Sequence, residues 1–264
     1  MSYRKIVTVV DEHTASTIIA RYAISLAEAC RAELVLYADH AEGCNEVLLL
    51  RTEHHLEQLS AVASELNIPV TRIVEVGNIN ELLPKRVQAE NADLVFYPMT
   101  PRERYGAALQ KHTVHNLLRT VRVDLAIMRA ITMAKPYPGH ILVPLGKVIS
   151  DKERRLMFVA ELAKSFHSDV TLFHIFAERE AKVIPDDIIW FQEQLRLQNV
   201  TVLERSGRGT LRKALTVEAI TNRNDLIVLG ASGRGALRRL FSGNPAGDVM
   251  HQPPCNIILF RPAV

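Results

Sequence analysis

The chain has 264 residues, of which 48% are hydrophobic and 23% are charged. This length suits two domains of about 130 residues, each large enough to bury a core without disulfides or a metal. The net charge of +3 is too small to indicate a nucleic-acid-binding protein by itself, and three cysteines without CxxC spacing favour a reducing compartment.

The first residues, MSYRKIVTVVDEH, lack the apolar segment that is typical of a signal peptide. No stretch approaches the roughly 18 uncharged apolar residues that a membrane-spanning helix needs. We therefore expect a soluble, cytoplasmic protein that neither inserts into a membrane nor binds nucleic acid.

An internal repeat organises the chain. Four short apolar blocks of the first half recur in the same order in the second half, displaced by 132 to 137 residues. The matched blocks are KIVTVVD (Lys5–Asp11) with HILVPLG (His140–Gly146), AELVLYADH with DVTLFHIFA, ADLVFYPM (Ala92–Met99) with NDLIVLGA (Asn224–Ala231), and VDLAIMRA (Val123–Ala130) with NIILFRPA (Asn256–Ala263). The sequence predicts a tandem duplication with domains at 1–131 and 140–264, joined by the proline-containing linker 132–139.

Strands and helices alternate within each half. Each matched block is a nearly continuous apolar run, typical of a strand buried on both faces of a parallel sheet. Between the blocks, apolar residues recur at helical spacing: Ile19, Ala23, Leu26, Ala27 and Cys30 in the first half, and Leu156, Val159, Ala160, Ala163 and Phe166 in the second. Ser150 or Asp151 is placed to cap the second of these helices. The pattern predicts two doubly wound, Rossmann-like α/β domains, with ligands at the carboxyl ends of the strands.

A glycine-rich loop, LGASGRGALRRLFSGNP (Leu229–Pro245), follows the apolar run DLIVL. Its glycines at 230, 233, 235 and 243 allow backbone N–H groups to turn toward an anion. Asn244 and Pro245 suit the start of a helix, whose N-terminus attracts phosphate, and three arginines add positive charge. A phosphate site and a flexible turn with a solvated arginine face are equally good interpretations of this pattern.

Other motifs are excluded or weak. No GxxxxGK[ST] occurs, and GRGTLR (Gly207–Arg212) ends in arginine where a dinucleotide fingerprint needs glycine. GRGTLR either lines the same cleft or forms a turn in which Thr210 caps the next helix. GASGR places Arg234 where a hydrolase elbow needs glycine, and Asp248 and His251 follow too closely to be its partners. We predict neither a catalytic constellation nor a metal site: a hydrogen-bonded strand histidine is expected at 174, a helix start at 186–187, and a solvated helix surface at 112–115.

The segment DLIVLGASGRGALRRLFSGNPAGDVMHQPPCNIILFRP resembles the C-terminal signature of universal stress proteins. ATP-binding members of that family carry G-x2-G-x9-G-[ST] after the fourth strand. Gly230, Gly233 and Gly243 have this spacing, with Asn244 in place of Ser or Thr. The resemblance covers both halves, and it implies a tandem universal stress protein whose domains are related by a pseudo-twofold axis.

The resemblance also implies a ligand, ATP or a related adenine nucleotide with or without Mg²⁺, in the second domain. The predicted nucleotide-binding residues are Gly230, Ser232, Gly233, Arg234, Gly243, Asn244, Pro144, Gly146 and Ile175. The family's adenine-side aspartate is replaced here by Gly146, whereas the first half keeps Asp11. The first half instead lacks the glycine spacing and carries prolines at 98 and 101, so its nucleotide site is predicted to be degenerate.

The function implied by the resemblance is a nucleotide-responsive regulator of the stress response. At most slow ATP hydrolysis is expected, because no general base is evident. A homodimer and an unidentified protein partner are expected as well. The alternatives are a ligand-free scaffold that acts through protein contacts and an enzyme that acts on a nucleotide.

Overall fold

The computed structural model describes residues 2–99, 106–131, 137–176, 183–231, 249–250 and 252–263, with the backbone alone for 106–111. The chain divides into two compact units, Met1–Pro136 with Ala263–Val264, and Tyr137–Pro262. Strands and helices alternate in both units, and this confirms the predicted pair of α/β domains. The bounds of the linker stay a prediction, because residues 132–136 lie outside the described part.

The first unit contains five parallel strands in the order β3-β2-β1-β4-β5. Its elements are β1 (Lys5–Val9), α1 (Thr14–Cys30), β2 (Glu33–His40), α2 (Glu46–Glu65), β3 (Val70–Val76), α3 (Ile79–Ala89), β4 (Leu94–Pro98), α4 (Gly106–Thr120) and β5 (Asp124–Arg129).

The second unit repeats this arrangement, with parallel strands in the order β8-β7-β6-β9-β10. Its elements are β6 (His140–Leu145), α5 (Lys152–Phe166), β7 (Asp169–Phe176), α6 (Asp186–Leu197), β8 (Val202–Arg208), α7 (Leu211–Thr221), β9 (Leu226–Gly230) and β10 (Asn256–Arg261). The chain moves outward from β6 to β8 and then returns to β9 on the other side of β6. This reversal makes β6 and β9 the topological switch point.

Burial explains why the strands read as apolar runs. Every residue of β4 and β10 is buried, as is all of β9 except its last residue. A parallel sheet covered on both faces requires apolar side chains at successive positions rather than at alternate ones.

The duplication is also visible in the backbone. Three helices of each unit are followed by a non-glycine residue in the left-handed conformation, with φ between 50° and 60°. Arg31, Asn67 and Asn91 in the first unit correspond to His167, Asn199 and Arg223 in the second. This conformation lets backbone N–H groups bond to the last helical carbonyls: Arg31 caps Ala27 and Glu28, as His167 caps Ala163 and Lys164.

One aspartate in each unit fixes the amino ends of the central strands. The Asp93 carboxylate accepts hydrogen bonds from the backbone N–H groups of Arg4 and Lys5, at 2.8 and 3.1 Å. The Asp225 carboxylate accepts equivalent bonds from Gly139 and His140, at 2.9 and 3.2 Å. These bonds hold β1 to β4 and β6 to β9 at the end of the sheet opposite to the ligand edge.

Two predicted helix caps occupy the N-cap positions but make no side-chain capping bond. Asp151 does occupy the N-cap position of α5, but it is in the left-handed conformation (φ 51°) and its side chain makes no capping bond. An N-cap side chain normally reaches the first-turn N–H groups from an extended backbone. Thr210 is extended at the start of α7 and likewise makes no side-chain capping bond.

All three cysteines are free thiols. Within the described part of the chain, no helix has the length and apolarity needed to cross a membrane.

Candidate nucleotide site

The carboxyl ends of β6 and β9 form a small pocket in the second unit. These strands pair through Ile141–Leu226 and Leu142–Ile227, near their amino ends. The residues beyond those pairs line the pocket together with side chains from α5, α6 and β10. The lining consists of Val143, Pro144, Leu145, Arg155, Val159, Phe191, Val228, Leu229, Gly230 and Phe260. The pocket therefore lies where a doubly wound sheet binds its ligand.

Four predicted site residues can be placed in the structure. Pro144 and Gly230 line the pocket, and Gly146 follows directly after β6. Ile175 lies on β7 in register with Gly207 of β8 and is not part of the lining. The predicted residues Ser232, Gly233, Arg234, Gly243 and Asn244 lie outside the described residues.

Gly146, which replaces the family aspartate, is not required by the backbone. Its φ lies outside the left-handed region, and an added β-carbon would meet only the Val148 carbonyl oxygen at 3.7 Å, an ordinary contact. The backbone therefore accepts a β-carbon at this position, and the fold does not require glycine here.

Arg155 is a pocket residue that the sequence reasoning missed. It lies in the first turns of α5, and its guanidinium reaches the last residue of β9. A β-carbon on Gly230 would lie 2.2 Å from Nη1, 2.3 Å from Cζ and 2.6 Å from Nη2 of Arg155. Glycine at 230 is thus what allows the guanidinium to occupy this position.

The Arg155 guanidinium is enclosed without a matching anion among the described residues. Its Nε and Nη2 atoms are buried, and neither has a hydrogen-bond partner in the described part of the chain. Burial lowers the pKa of Arg155, and the nearby charge of Asp151 opposes this shift. Because a guanidinium stays protonated in proteins, the pocket holds a positive charge that Asp151 offsets in part and that no described residue hydrogen-bonds at Nε or Nη2.

The loop after β6 is fastened to the start of α6. The Asp187 carboxylate accepts a hydrogen bond from the Ile149 backbone N–H at 2.9 Å and another from Lys152 Nζ at 3.0 Å. These two bonds, the backbone one first, lower the pKa of Asp187. Lys152 Nζ also lies 4.7 Å from the centre of the Trp190 ring. The predicted helix start at 186–187 is confirmed, and its second carboxylate holds the loop beside Gly146.

The GRGTLR segment serves packing. Gly207 lies within β8, and a β-carbon there would come within 2.7 Å of the Phe173 ring. Gly209 has φ +99°, a conformation that L side chains rarely adopt. The segment is therefore explained by close strand packing and a turn. The predicted strand histidine is confirmed: His174 Nδ1 donates to the Leu145 carbonyl at 2.9 Å.

The corresponding edge of the first unit is built differently. Asp11 is buried after β1, and its Oδ1 accepts the His13 backbone N–H at 3.0 Å. Asp11, Glu12 and His13 bring ligand-type atoms within 4.8 Å of one another, but hydrogen bonding within this turn accounts for the grouping. β4 ends in the buried Pro98, which has no N–H to donate.

One family model matches the sequence of both halves of the chain. The universal stress protein family model matches residues 2–129 and again residues 139–261. The chain belongs to the universal stress protein family. The two matches show that this universal stress protein is a tandem member, as its repeat predicted. No curated protein matches the chain in sequence.

Solved structures share the fold over nearly the whole length of the chain. A universal stress protein from Archaeoglobus fulgidus DSM 4304 is 15% identical, with a TM-score of 0.69, covering 98% of this chain and 96% of its own. A functionally unknown protein from Pseudomonas aeruginosa PAO1 is also 15% identical, with a TM-score of 0.63 and coverages of 98% and 93%. The cytoplasmic domain of a prokaryotic cation chloride cotransporter is 11% identical, with a TM-score of 0.62 and coverages of 98% and 95%. Identities this low show a shared fold and nothing about the ligand.

Proposed function

We propose that this universal stress protein is a regulator whose second domain binds an adenine nucleotide, ATP in first place, at the carboxyl ends of β6 and β9. The observation that carries the proposal is the pocket at the switch point, which borders Gly230. Gly230 is also the first glycine of the G-x2-G-x9-G spacing. The later residues of that spacing, with Ser232, Arg234 and Asn244, are proposed to bind the phosphates that follow.

A difference between the two domains favours one nucleotide per chain. Gly230 ends β9 with a backbone N–H and no side chain, whereas Pro98 ends β4 with no N–H to donate. The first domain is therefore proposed to serve as a structural partner rather than as a second nucleotide site.

We propose binding without turnover. Among the described residues that line the pocket, Arg155 alone carries a charge, and a guanidinium cannot act as a general base at neutral pH. Mg²⁺ would bind together with the nucleotide phosphates. Bound nucleotide would change a surface that an unidentified protein partner reads, in a cytoplasmic protein that forms homodimers.

The direct test is a titration of the full chain with ATP, monitored by calorimetry and thermal unfolding. A ligand that binds only the folded state adds about 2.7 kcal/mol at a concentration of 100 Kd, so ATP should raise the melting temperature clearly. Gly233→Val should abolish the shift, because a branched side chain would fill the space beside the phosphates. Unchanged ATP binding by Gly233→Val would remove the glycine loop from the mechanism.

A ligand-free scaffold is the second candidate, and Gly146 is the observation that favours it. The carboxylate that would read adenine is absent although the backbone would accept it. If no adenine nucleotide raises the melting temperature at millimolar concentration, the scaffold is the better account. Single-turnover assays with ATP test the remaining possibility, an enzyme, through product formation.

A further inference from the structure

The residue equivalent to Arg155 in the first domain is apolar and buried. The matched helix ends, Arg31 after α1 and His167 after α5, align these helices with a displacement of 136 residues, since 167 − 31 = 136. Tyr22 then corresponds to Phe158, and both are fully buried. The same displacement places Arg155 opposite Ile19, which is 0% exposed. The first domain therefore places an aliphatic side chain below its switch point, and the second domain places a charged side chain there.

A second exchange accompanies the first. β4 and β9 align end to end, so Pro98 corresponds to Gly230. The first domain combines Ile19 with Pro98, and the second combines Arg155 with Gly230. Only the second combination leaves room for a guanidinium at the carboxyl end of the strand, given the 2.2 Å approach of Nη1 to a β-carbon at 230. The two domains therefore differ at both positions of this contact.

The unpartnered atoms identify the kind of ligand. Nε and Nη2 form one edge of the guanidinium and present two parallel N–H groups, the fork that binds two oxygens of a phosphate or carboxylate. A buried guanidinium without an anion is unfavourable, and an anion bound to this edge would relieve the cost. The apolar lining around it offers no competing acceptor side chain among the described residues.

We propose that Arg155 is a specificity-determining residue whose guanidinium binds a phosphoryl group directly beside Gly230. This inference rests on the proposed function and deepens it. The domain selects ligands by a phosphoryl group held at the strand end, and the nucleobase, facing Gly146 instead of a carboxylate, contributes less to selection. The phosphoryl group comes either from a nucleotide or from free pyrophosphate, since both present the same oxygens.

The experiment measures binding of ATP, adenosine and inorganic pyrophosphate to the wild-type chain and to Arg155→Ile, Arg155→Lys and Arg154→Ile. Isoleucine is the residue found at the equivalent position 19, so it suits the space. Arg154 is exposed on the same helix, and its replacement removes the same charge. Circular dichroism checks that each variant keeps its fold.

Arg155→Ile should weaken ATP binding by roughly tenfold to a hundredfold, the loss expected for a charge-assisted pair of hydrogen bonds. The ATP affinity of Arg155→Lys should lie between those of the wild type and Arg155→Ile, because lysine keeps the charge but loses the paired N–H groups. Adenosine should bind Arg155→Ile as it binds the wild type, and Arg154→Ile should bind ATP normally.

The outcomes separate the two proposals. Equal ATP affinity in the wild type and Arg155→Ile would overturn the inference and leave the proposed function standing. If pyrophosphate binds in an Arg155-dependent way and ATP does not bind, the role of Arg155 is supported. The proposal that the domain binds an adenine nucleotide is then contradicted. If neither ATP nor pyrophosphate binds the wild type, both proposals fail.

Discussion

At the scale of single residues, Arg155 and Gly230 form one unit. The guanidinium lies so close to the end of β9 that residue 230 has no room for a β-carbon. Leaving such a polar group buried without a partner costs roughly 1–3 kcal/mol. A bound anion would offset that cost, so the pocket gains in stability when it is filled.

Gly230→Ala tests this unit from the side of the strand. The atoms nearest to the new β-carbon belong to the movable end of a long side chain, and φ at 230 lies outside the left-handed region. The free energy of unfolding should therefore stay within about 1 kcal/mol of the wild type, measured by denaturant titration. ATP affinity should fall about tenfold or more, because the guanidinium must leave its place.

Gly139→Ala is the matched control for that substitution. Gly139 precedes β6 at the opposite end of the sheet, and an added β-carbon there makes only a 3.5 Å contact with the Asp225 carboxylate. It should bind ATP as the wild type does. Wild-type affinity in Gly230→Ala would show that the position of the guanidinium does not matter for binding.

At the scale of elements, the loop between β6 and α5 owes its position to α6. The Ile149 backbone and the Lys152 ammonium both bond to Asp187. This places Gly146 and the first turn of α5, and hence Arg155, in a fixed relation to the pocket. A side chain on one helix therefore helps to orient the proposed binding residue on another.

Asp187→Asn should destabilise the second domain in a pH-dependent way. The two hydrogen bonds depress the pKa of Asp187 below its ordinary value of 3.8. A carboxyl whose folded pKa is depressed contributes stability above its unfolded pKa, and the contribution is lost as the pH falls through the folded pKa. The difference in free energy of unfolding between wild type and Asp187→Asn should be constant near neutral pH and shrink below about pH 4.

Asp186→Asn serves as its control, because Asp186 is exposed at the same helix end. Urea titrations of the three proteins from neutral to acid pH give the comparison. If the free energies of unfolding of the wild type and Asp187→Asn differ by the same amount at all pH values, Asp187 has no electrostatic role.

At the scale of the whole molecule, the duplicated architecture was predictable and the divergence between the domains was predictable only in part. The continuous apolar blocks led directly to parallel strands, because a sheet covered on both faces favours apolar side chains at successive positions. Asp151 and Thr210 stand at the N-cap positions, as predicted, but neither makes a side-chain capping bond. For Asp151 the reason is its left-handed backbone, which composition does not fix.

Arg155 was missed although a signal for it exists in the sequence. The first helix has apolar residues at 19, 23, 26, 27 and 30, and a displacement of 136 maps them to 155, 159, 162, 163 and 166. Four of these five mapped positions are apolar, and 155 is the exception. Aligning the helices by their ends, rather than examining each pattern alone, would have exposed a charge on a core-facing position. That the charge reaches Gly230 required three-dimensional coordinates.

We propose that the second domain alone receives the nucleotide, at the ends of β6 and β9. Hydrogen–deuterium exchange of the full chain, with and without saturating ATP, tests it most directly. We predict slower exchange in peptides covering 146–158 and 226–250, and unchanged exchange in the equivalent peptides 10–22 and 94–118. Protection of the first-domain peptides, or no ATP-dependent protection in either domain, would contradict the account.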